Sequence, residues 1–232
     1  MILELADVHA HIGQHHILQG VSVGVRPDSV TVLLGRNGAG KTTTLRTIVG
    51  LIRPTRGRIS FDGASIAGRP PHEIVRRGLG FVPEGQGIFA GLTVHENLEV
   101  AMLGNDAAAA ARLQRVFDLF PPLLRFRDAK AGTLSGGQKQ MLSIARAFVN
   151  DNRLLLIDEP SKGLSPIVIE HLVDALGEVK RHATVLLVEQ NLAMAAALGD
   201  DFYLIDGGRT VHQGRMAELM ADDALKRRYL GV

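Results

Sequence analysis

The residues best suited to chemistry form one short run, Leu33 to Thr43, in which an apolar segment leads into a glycine-rich turn. The run fits the pattern G-x-x-x-x-G-K-[ST] at every fixed position, with Gly35, Gly40, Lys41 and Thr42 in place. Glycines leave room for successive backbone N–H groups to turn inward, and these groups together form a concave nest for anions. The run therefore predicts a cradle for the phosphates of a nucleoside triphosphate.

Each part of this cradle has a predicted role. A helix that begins near Lys41 adds unsatisfied N–H groups and the positive end of its dipole. The Lys41 ammonium can reach the β- and γ-phosphates, and the Thr42 hydroxyl can ligate Mg²⁺. The residues predicted to contact the nucleotide are Asn37, Gly38, Ala39, Gly40, Lys41, Thr42 and Thr43. The cradle alone does not identify the use of the triphosphate, because kinases, GTPases, helicases and transporters share it.

A second candidate for chemistry is the segment Leu154 to Glu159, where four apolar residues precede two carboxylates. Such a strand is buried, so its acids emerge at the C-terminal edge of the sheet, where open α/β sheets bind their ligands. Asp158 is suited to hold Mg²⁺ through water, and Glu159 is suited to polarise an attacking water.

A third candidate is Leu134 to Gln138, which has the sequence Leu-Ser-Gly-Gly-Gln. Ser135, Gly136 and Gly137 precede a helix predicted from Lys139, so amides and a hydroxyl face outward at a positive dipole end. This makes a second phosphate site, although the cradle already surrounds the triphosphate. One economical solution is a head-to-tail dimer, in which this segment of one chain contacts the γ-phosphate bound to the other.

The elements that must position these residues follow from hydrophobic patterning. Strands and helices alternate after about residue 150, which indicates a parallel α/β sheet. Buried strands are predicted at residues 30–34, 79–82, 154–158 and 184–188, antiparallel strands at 2–8, 17–25 and 57–61, and a hairpin at 202–205 and 210–213. We expect a single domain of residues 1–232, with a nucleotide-binding core (1–84 and 151–232) that includes an N-terminal antiparallel β lobe, and an inserted α-helical subdomain (85–150).

Helix boundaries are predicted from capping residues and prolines. Thr93 and Glu96 form a capping box, and Asp106 caps a helix that runs through an alanine-rich stretch toward Phe120. Ser165 caps a helix from Pro166 to residue 180. A last helix is expected over residues 216–229.

Composition narrows the function class. The 232 residues include 26 Lys and Arg and 24 Asp and Glu, which gives a net charge of +2. This balance does not indicate a nucleic-acid-binding protein, which would carry a large excess of basic residues. The chain has no cysteine, which excludes disulfides and thiolate metal sites. No apolar run approaches the roughly 18 residues of a membrane span, and no secretory signal is expected. Four histidines near the N-terminus match no usual ligand spacing and are expected at the surface: His9, His11, His15 and His16.

With these three motifs in this order, the sequence resembles the ATP-binding subunits of ABC transporters over essentially its whole length. Residues 35–42 correspond to Walker A, 134–138 to the signature and 156–159 to Walker B. The resemblance implies a P-loop NTPase (RecA-like) core with the ABC ATPase fold, and ATP and Mg²⁺ as ligands. It also implies a sandwich of two such subunits, a homodimer or a related heterodimer, which closes on ATP and reopens after hydrolysis.

The same resemblance implies the partners and location. Transmembrane permease subunits dock on the helical lobe near Glu84, and closure of the sandwich becomes their conformational change. The subunit is peripheral, on the cytoplasmic side of the inner membrane, and a periplasmic solute-binding protein is only an indirect partner.

Finer features resemble the F-type ATPase of branched-chain amino-acid importers. These features are the segments 82–85, 159–166, 188–191 and 229–232. The ATPase of urea importers is a close relative and usually keeps glutamine where Glu84 stands, so it remains an alternative.

The chain also departs from the general family pattern. Glu84 replaces a glutamine whose amide touches Mg²⁺ and the attacking water; a carboxylate could still ligate the metal but adds negative charge. Gln190 replaces a switch histidine, and its amide can donate a hydrogen bond but cannot become cationic. Ser165 replaces an aspartate. Ile12 takes the place of the aromatic that stacks on adenine and offers only apolar contact, so we expect weaker base selectivity.

These departures lead to hypotheses about activity. Glu159 remains the base, with Glu84 and Gln190 beside it. ATP turnover is slower than the general family pattern would give. The site shares ATP hydrolysis with a second, non-identical ATPase that carries the histidine. A degenerate cassette that acts as a structural partner is an alternative, against which the complete Walker motifs argue. A soluble ABC ATPase of DNA repair or translation is another; those usually carry two cassettes or a long coiled-coil insertion, and this chain has neither.

Overall fold

The computed structural model describes residues 1–104 and 107–231. Its centre is a six-stranded sheet with the strand order β10-β9-β3-β8-β7-β6. Five of these strands are parallel, and β10 closes one edge as the antiparallel partner of β9. The strands are β3 (Val30–Leu34), β6 (Leu79–Val82), β7 (Leu154–Asp158), β8 (Thr184–Val188), β9 (Asp201–Asp206) and β10 (Arg209–Arg215). The predicted parallel sheet is confirmed.

The N-terminal lobe is a separate four-stranded antiparallel sheet with the order β2-β1-β4-β5. Its strands are β1 (Leu3–Ile12), β2 (His15–Val25), β4 (Pro54–Phe61) and β5 (Ala64–Ser65). The first three are longer than predicted. Pairing of β1 with β2 continues to His11 opposite His16 and Ile12 opposite His15, so the turn is much shorter than the polar composition suggested. Gly13 makes this tight turn possible with φ 58°.

The segment from residue 85 to 150 is helical among its described residues. It contains α3 (Val94–Ala101), α4 (Ala109–Leu119), α5 (Pro121–Arg125) and α6 (Gly136–Phe148). The predicted capping box of α3 is confirmed, with Thr93 Oγ1 accepting from Glu96 N at 3.1 Å. Asp106, the predicted cap of α4, lies outside the described residues. The division of the chain into core and helical subdomain stays a prediction.

The remaining helices of the described residues are α1 (Lys41–Ile48), α2 (Pro71–Val75), α7 (Pro166–Val179), α8 (Leu192–Leu198), α9 (Met216–Ala221) and α10 (Asp223–Tyr229). The helices predicted from near Lys41 and from Pro166 begin at those residues. The single C-terminal helix we expected is wrong: it breaks at Asp222, whose carboxylate accepts from Leu225 N at 2.8 Å and caps α10. Ser165 does stand at the N-cap of α7, but its side chain makes no capping hydrogen bond.

The core fills both faces of the six-stranded sheet. Along β7, Leu155 and Ile157 pack into one buried cluster with α6 and α7, while Leu154 and Leu156 pack into another with α1 and the antiparallel lobe. Strands covered on both faces require continuous apolar runs, which is why β3, β7 and β8 are buried along their whole length. Within the described residues, no helix combines the length and apolarity needed to cross a membrane.

Candidate functional site

The predicted phosphate cradle lies between β3 and α1. Gly40 stands at the N-cap of α1 with φ 109°, a left-handed conformation that side chains disfavour. At Gly35, an added Cβ would lie 2.2 Å from the carbonyl oxygen of Ile205. Glycine is therefore required at both fixed positions of the motif, once for backbone conformation and once for close packing. The turn ends at the N-terminus of α1, where a helix leaves its first backbone N–H groups without partners inside the helix.

Lys41 spans the cradle and the end of β7. Its side chain is 4% exposed, and Nζ donates to the carbonyl oxygens of Gly35 at 2.9 Å and Arg36 at 3.2 Å. The same Nζ lies 3.5 Å from Oε1 of Glu159. The ammonium is thus already held where anions can be bound by the cradle.

Of the three residues predicted to hold Mg²⁺, Thr42, Asp158 and Glu84, the first two meet directly. Thr42 Oγ1 donates to Asp158 Oδ1 at 3.1 Å. Burial raises the pKa of the Asp158 carboxyl to about 6, while the hydrogen bond from Thr42 opposes this shift. A hydroxyl and a carboxylate oxygen are hard ligands of the kind that Mg²⁺ accepts together with phosphate oxygens and water. Among the described residues no cluster of three or more His, Cys, Asp or Glu could hold a metal.

Glu159 is held in an unusual backbone conformation. Its φ is 45°, in the left-handed region that non-glycine residues rarely adopt, and its side chain is 9% exposed. The Glu159 backbone N–H donates to the Val188 carbonyl at 2.9 Å, which ties the end of β7 to the end of β8. Strain of this kind persists where surrounding structure enforces it, often at functional sites.

Gln190 contacts the same carboxylate. Its Nε2 donates to Glu159 Oε1 at 2.6 Å. The residue in the switch position therefore lies beside the candidate base, as its place after β8 requires in a parallel sheet.

Glu189 was missed by the sequence reasoning. It is 1% exposed, and its carboxylate accepts four hydrogen bonds. Ser161 supplies two, from N at 3.0 Å and Oγ at 2.9 Å, and the backbone N–H groups of Gln190 and Asn191 supply one each at 2.9 Å. Glu189 thereby connects the loop after β7 with the loop after β8. An acidic residue directly after a buried strand was the available signal.

Lys162 was also missed as a functional residue. Its Nζ lies 2.5 Å from Glu84 Oε1 and 3.8 Å from Glu159 Oε2. The hydrogen bond to Glu84 and the charge of that carboxylate raise the pKa of the Lys162 ammonium. The sequence carried no signal for this pair, because the two residues are far apart in the chain.

Of the side chains described above, Lys41, Thr42, Glu84, Glu159 and Lys162 line one open cavity of about 320 Å³. Asp158 and Gln190 contact this lining from behind, and Glu189 in turn contacts Gln190. The complete lining of the cavity consists of Ile17, Asn37, Gly38, Gly40, Lys41, Thr42, Thr43, Glu84, Glu159 and Lys162. A larger cavity of about 910 Å³ lies between α4, α7 and α8, and none of its lining residues belongs to the three motif runs. We assign the chemistry to the smaller cavity, because the amides, cations and carboxylates converge there.

The signature segment caps α6. Ser135 Oγ accepts from Gln138 N at 3.4 Å, and Gln138 Oε1 accepts from Ser135 N at 2.9 Å. This capping box starts the helix at Gly136, three residues before the predicted start. Gly137 packs tightly, since an added Cβ would lie 2.3 Å from Val168 Cγ1. None of the residues 135–138 lines the cradle cavity of the same chain.

Loop 83–87, which carries Glu84, is anchored on α6. Gln86 Nε2 donates to the Gly136 carbonyl at 3.3 Å, while Ser143 Oγ and Arg146 donate to the carbonyls of Gln86 and Gly87. The loop therefore joins the cradle cavity to the helix that begins with the signature.

Ile12, the predicted adenine contact, is 46% exposed and lines another cavity of about 660 Å³. Ile17, which was not predicted, lines the cradle cavity instead. Contact of Ile12 with adenine stays a prediction. Close by, His16 contacts both His9, with Nε2 3.1 Å from His9 Nδ1, and His11, with ring centroids 4.2 Å apart.

Comparison with known proteins matches residues 18–162 to the family model described as ABC transporter. The high-affinity branched-chain amino acid transport ATP-binding protein BraG of Pseudomonas aeruginosa is 38% identical over 232 residues, which covers 99% of this chain and 100% of the relative. The probable branched-chain amino acid transport ATP-binding protein LivF of Archaeoglobus fulgidus is 35% identical over 234 residues, covering 100% and 99%. A solved structure described as the ATP binding subunit of an ABC transporter has a TM-score of 0.82 and 31% identity, covering 100% of this chain and 97% of that one.

Proposed function

Since this chain belongs to the ABC transporter family of ATP-binding proteins, we propose that it powers an importer for branched-chain amino acids. The chain is an ATPase coupled to transport. The observation that carries the proposed chemistry is the convergence of Lys41, Thr42 and Glu159 on one cavity, with Asp158 directly behind Thr42 as its hydrogen-bond acceptor. The two relatives named for branched-chain amino acid transport match nearly the whole chain, and this match supports the solute class.

Binding of ATP begins at the cradle. The Lys41 ammonium and the backbone N–H groups of residues 37–43 hold the β- and γ-phosphates, except for the Ala39 N–H, which donates to the Arg36 carbonyl at 3.2 Å. Thr42 and Asp158 would hold Mg²⁺, with Glu84 as a further oxygen donor. The bound ion would supply positive charge that offsets the charge of the phosphate oxygens.

Hydrolysis to ADP and phosphate depends on Glu159. Its carboxylate accepts a proton from the attacking water, so the oxygen can bond to the γ-phosphorus while the bond to ADP breaks. Gln190 and Lys41 both approach Oε1 of this carboxylate, at 2.6 and 3.5 Å, and hold it in place. Glu189 holds the two loops that carry Glu159 and Gln190 together.

The signature completes the site from a second subunit. Because residues 135–138 do not line the cradle cavity of their own chain, we assign them to the γ-phosphate held by a partner ATPase, identical or related. The anchoring of loop 83–87 on α6 supports this arrangement, since the γ-phosphate side of the cavity and the signature helix then move together. The helical subdomain, residues 85–150, is the part that closes.

The transmembrane permease subunits dock beside the same loop. A groove of about 420 Å³ lies there, lined by residues of α6, by loop 83–87 and by apolar side chains. Two of these, Leu51 and Leu103, are 58% and 57% exposed and available to a partner. The subunit works as a peripheral protein at the cytoplasmic face of the membrane, and a periplasmic solute-binding protein delivers solute to the permease.

A transport assay tests the function. The chain is reconstituted in proteoliposomes with the permease, solute-binding protein and any second ATPase encoded beside it, and uptake of labelled leucine is compared with uptake of labelled urea. ATP-dependent leucine uptake that is lost with Lys41→Ala supports the proposal. Urea uptake without leucine uptake supports the urea-importer alternative, and undiminished leucine uptake with Lys41→Ala supports a structural role for this chain.

A further inference from the structure

We propose that Lys162 is a positioning residue of the ATPase site, which neutralises Glu84 and holds loop 83–87 against the end of β7 for triphosphate binding. This inference rests on the proposed function and concerns the same cavity. Lys162 lies outside the three motifs from which the site was predicted.

The charges around the cavity create the need for such a residue. Three carboxylates, Glu84, Asp158 and Glu159, lie at or beside the place where a nucleoside triphosphate would put its γ-phosphate. Two ammonium groups oppose them, Lys41 from the cradle and Lys162 from the loop after β7. Without Lys162, a single lysine would face both the carboxylates and a highly charged anion.

Glu84 is the carboxylate with the greatest need for a partner. Its side chain is 38% exposed and lines the cavity, so it faces the incoming phosphates. The contact with Lys162 Nζ, at 2.5 Å, is a charge-assisted hydrogen bond. Water screens this pair in the free chain, but a bound nucleotide displaces that water, and an unpaired carboxylate then repels the γ-phosphate more strongly.

The pair also joins loop 83–87 to the loop that follows β7. Loop 83–87 is held on its far side by hydrogen bonds to α6, while Lys162 holds its near side and lies 3.8 Å from Glu159 Oε2. Exposed ion pairs contribute little to stability, so this pair is better understood as a local constraint on the loop than as a support of the fold.

The test measures nucleotide binding by the purified full-length chain. Titrations use a non-hydrolysable ATP analogue with Mg²⁺, and ADP with Mg²⁺ as the ligand without a γ-phosphate. The variants are Lys162→Met, Lys162→Arg, Glu84→Gln and the double variant Lys162→Met with Glu84→Gln. The matched control is Lys130→Met, because Lys130 is 59% exposed against 60% for Lys162 and pairs with Glu96 at 4.0 Å.

We expect Lys162→Met to weaken binding of the ATP analogue by about fivefold to tenfold and binding of ADP by less than about twofold. Lys162→Arg keeps the charge and should bind like the wild type. In the double variant the carboxylate is gone, so analogue binding should return to within about twofold of Glu84→Gln alone. Lys130→Met should change neither affinity.

Three results overturn the inference. If Lys162→Met binds the ATP analogue as tightly as the wild type does, Lys162 is not a positioning residue for triphosphate binding. If its affinities for the ATP analogue and for ADP fall equally, the substitution has a general structural effect. A double variant as weak as Lys162→Met shows that Glu84 is not the partner that matters. If the wild-type chain binds neither nucleotide, both the inference and the proposed function fail. In the first three outcomes the wild-type chain still binds nucleotide, so the two kinds of failure can be distinguished.

Discussion

Gln190 donates a 2.6 Å hydrogen bond from Nε2 to Oε1 of Glu159, so the residue in the switch position directly holds the candidate base. The Lys41 ammonium approaches the same oxygen at 3.5 Å, and Lys162 approaches the other at 3.8 Å. The Glu159 carboxylate is thus oriented by one hydrogen-bond donor and two ammonium groups, from three separate segments of the chain. Its ability to accept a proton depends on how these three groups are arranged when ATP is bound.

Replacement of Gln190 by histidine should raise kcat of the assembled transporter by about twofold or more, because an imidazolium can stabilise charge on the γ-phosphate as a neutral amide cannot. Steady-state ATP hydrolysis in proteoliposomes measures the effect. Gln190→Ala is the comparison and should lower kcat, since the carboxylate loses its nearest donor. No change, or a loss, with histidine would count against this explanation of the site.

Truncation of Glu189 should destabilise the chain. Glu189→Ala removes a buried carboxylate that accepts four hydrogen bonds, and we expect the free energy of unfolding to fall by about 3 kcal/mol. Urea unfolding followed by circular dichroism measures it. Glu178→Ala removes an exposed pair with Arg181 and should cost less than about 1 kcal/mol. Similar losses in the two variants would refute the connecting role of Glu189.

Replacement of Asp158 by asparagine should stabilise the nucleotide-free chain and weaken its binding of nucleotide with Mg²⁺. Burial raises the pKa of this carboxyl to about 6 from the ordinary 3.8, so the folded chain holds the proton more tightly than the unfolded chain does. As pH rises from about 4 to about 6, the unfolded state releases the proton first and the nucleotide-free chain loses stability, with the full loss above that range. Asp158→Asn should therefore stabilise the nucleotide-free chain by about 2 kcal/mol at pH 8 and by little below about pH 4.

Urea unfolding at several pH values checks this dependence, with Asp174→Asn, an exposed aspartate of α7, as control. Nucleotide binding in the presence of Mg²⁺ should weaken in Asp158→Asn over the same range, because the metal ligand is lost. A stabilisation that does not vary with pH would show that burial of the charge is not its cause.

Much of the fold could be predicted because its signals are local. Strands covered on both faces need unbroken apolar runs, which is why β3, β7 and β8 were found at or near their observed ends. The capping box of α3 follows from residues three apart. The break at Asp222 was missed, since the helical pattern continues across it and only the capping bond to Leu225 N marks the second start.

In the site, too, some contacts could be predicted from the sequence and others could not. The Thr42–Asp158 contact could be foreseen, because parallel strands deliver their C-terminal ends to one edge of the sheet. The pair of Lys162 with Glu84 could not, since it joins two loops whose approach depends on tertiary packing. The left-handed φ of Glu159 could not be predicted either, because glutamate is not a residue type that indicates this conformation.

The most direct test of the central claim measures ATP hydrolysis with Mg²⁺ by the purified chain over a wide range of protein concentrations, with Glu159→Gln beside it. We predict a specific activity that rises with concentration, as a site completed by a second copy requires, and a loss of about 100-fold or more in Glu159→Gln while ATP binding is retained. A specific activity that is constant with concentration, or one that Glu159→Gln retains, would contradict the account.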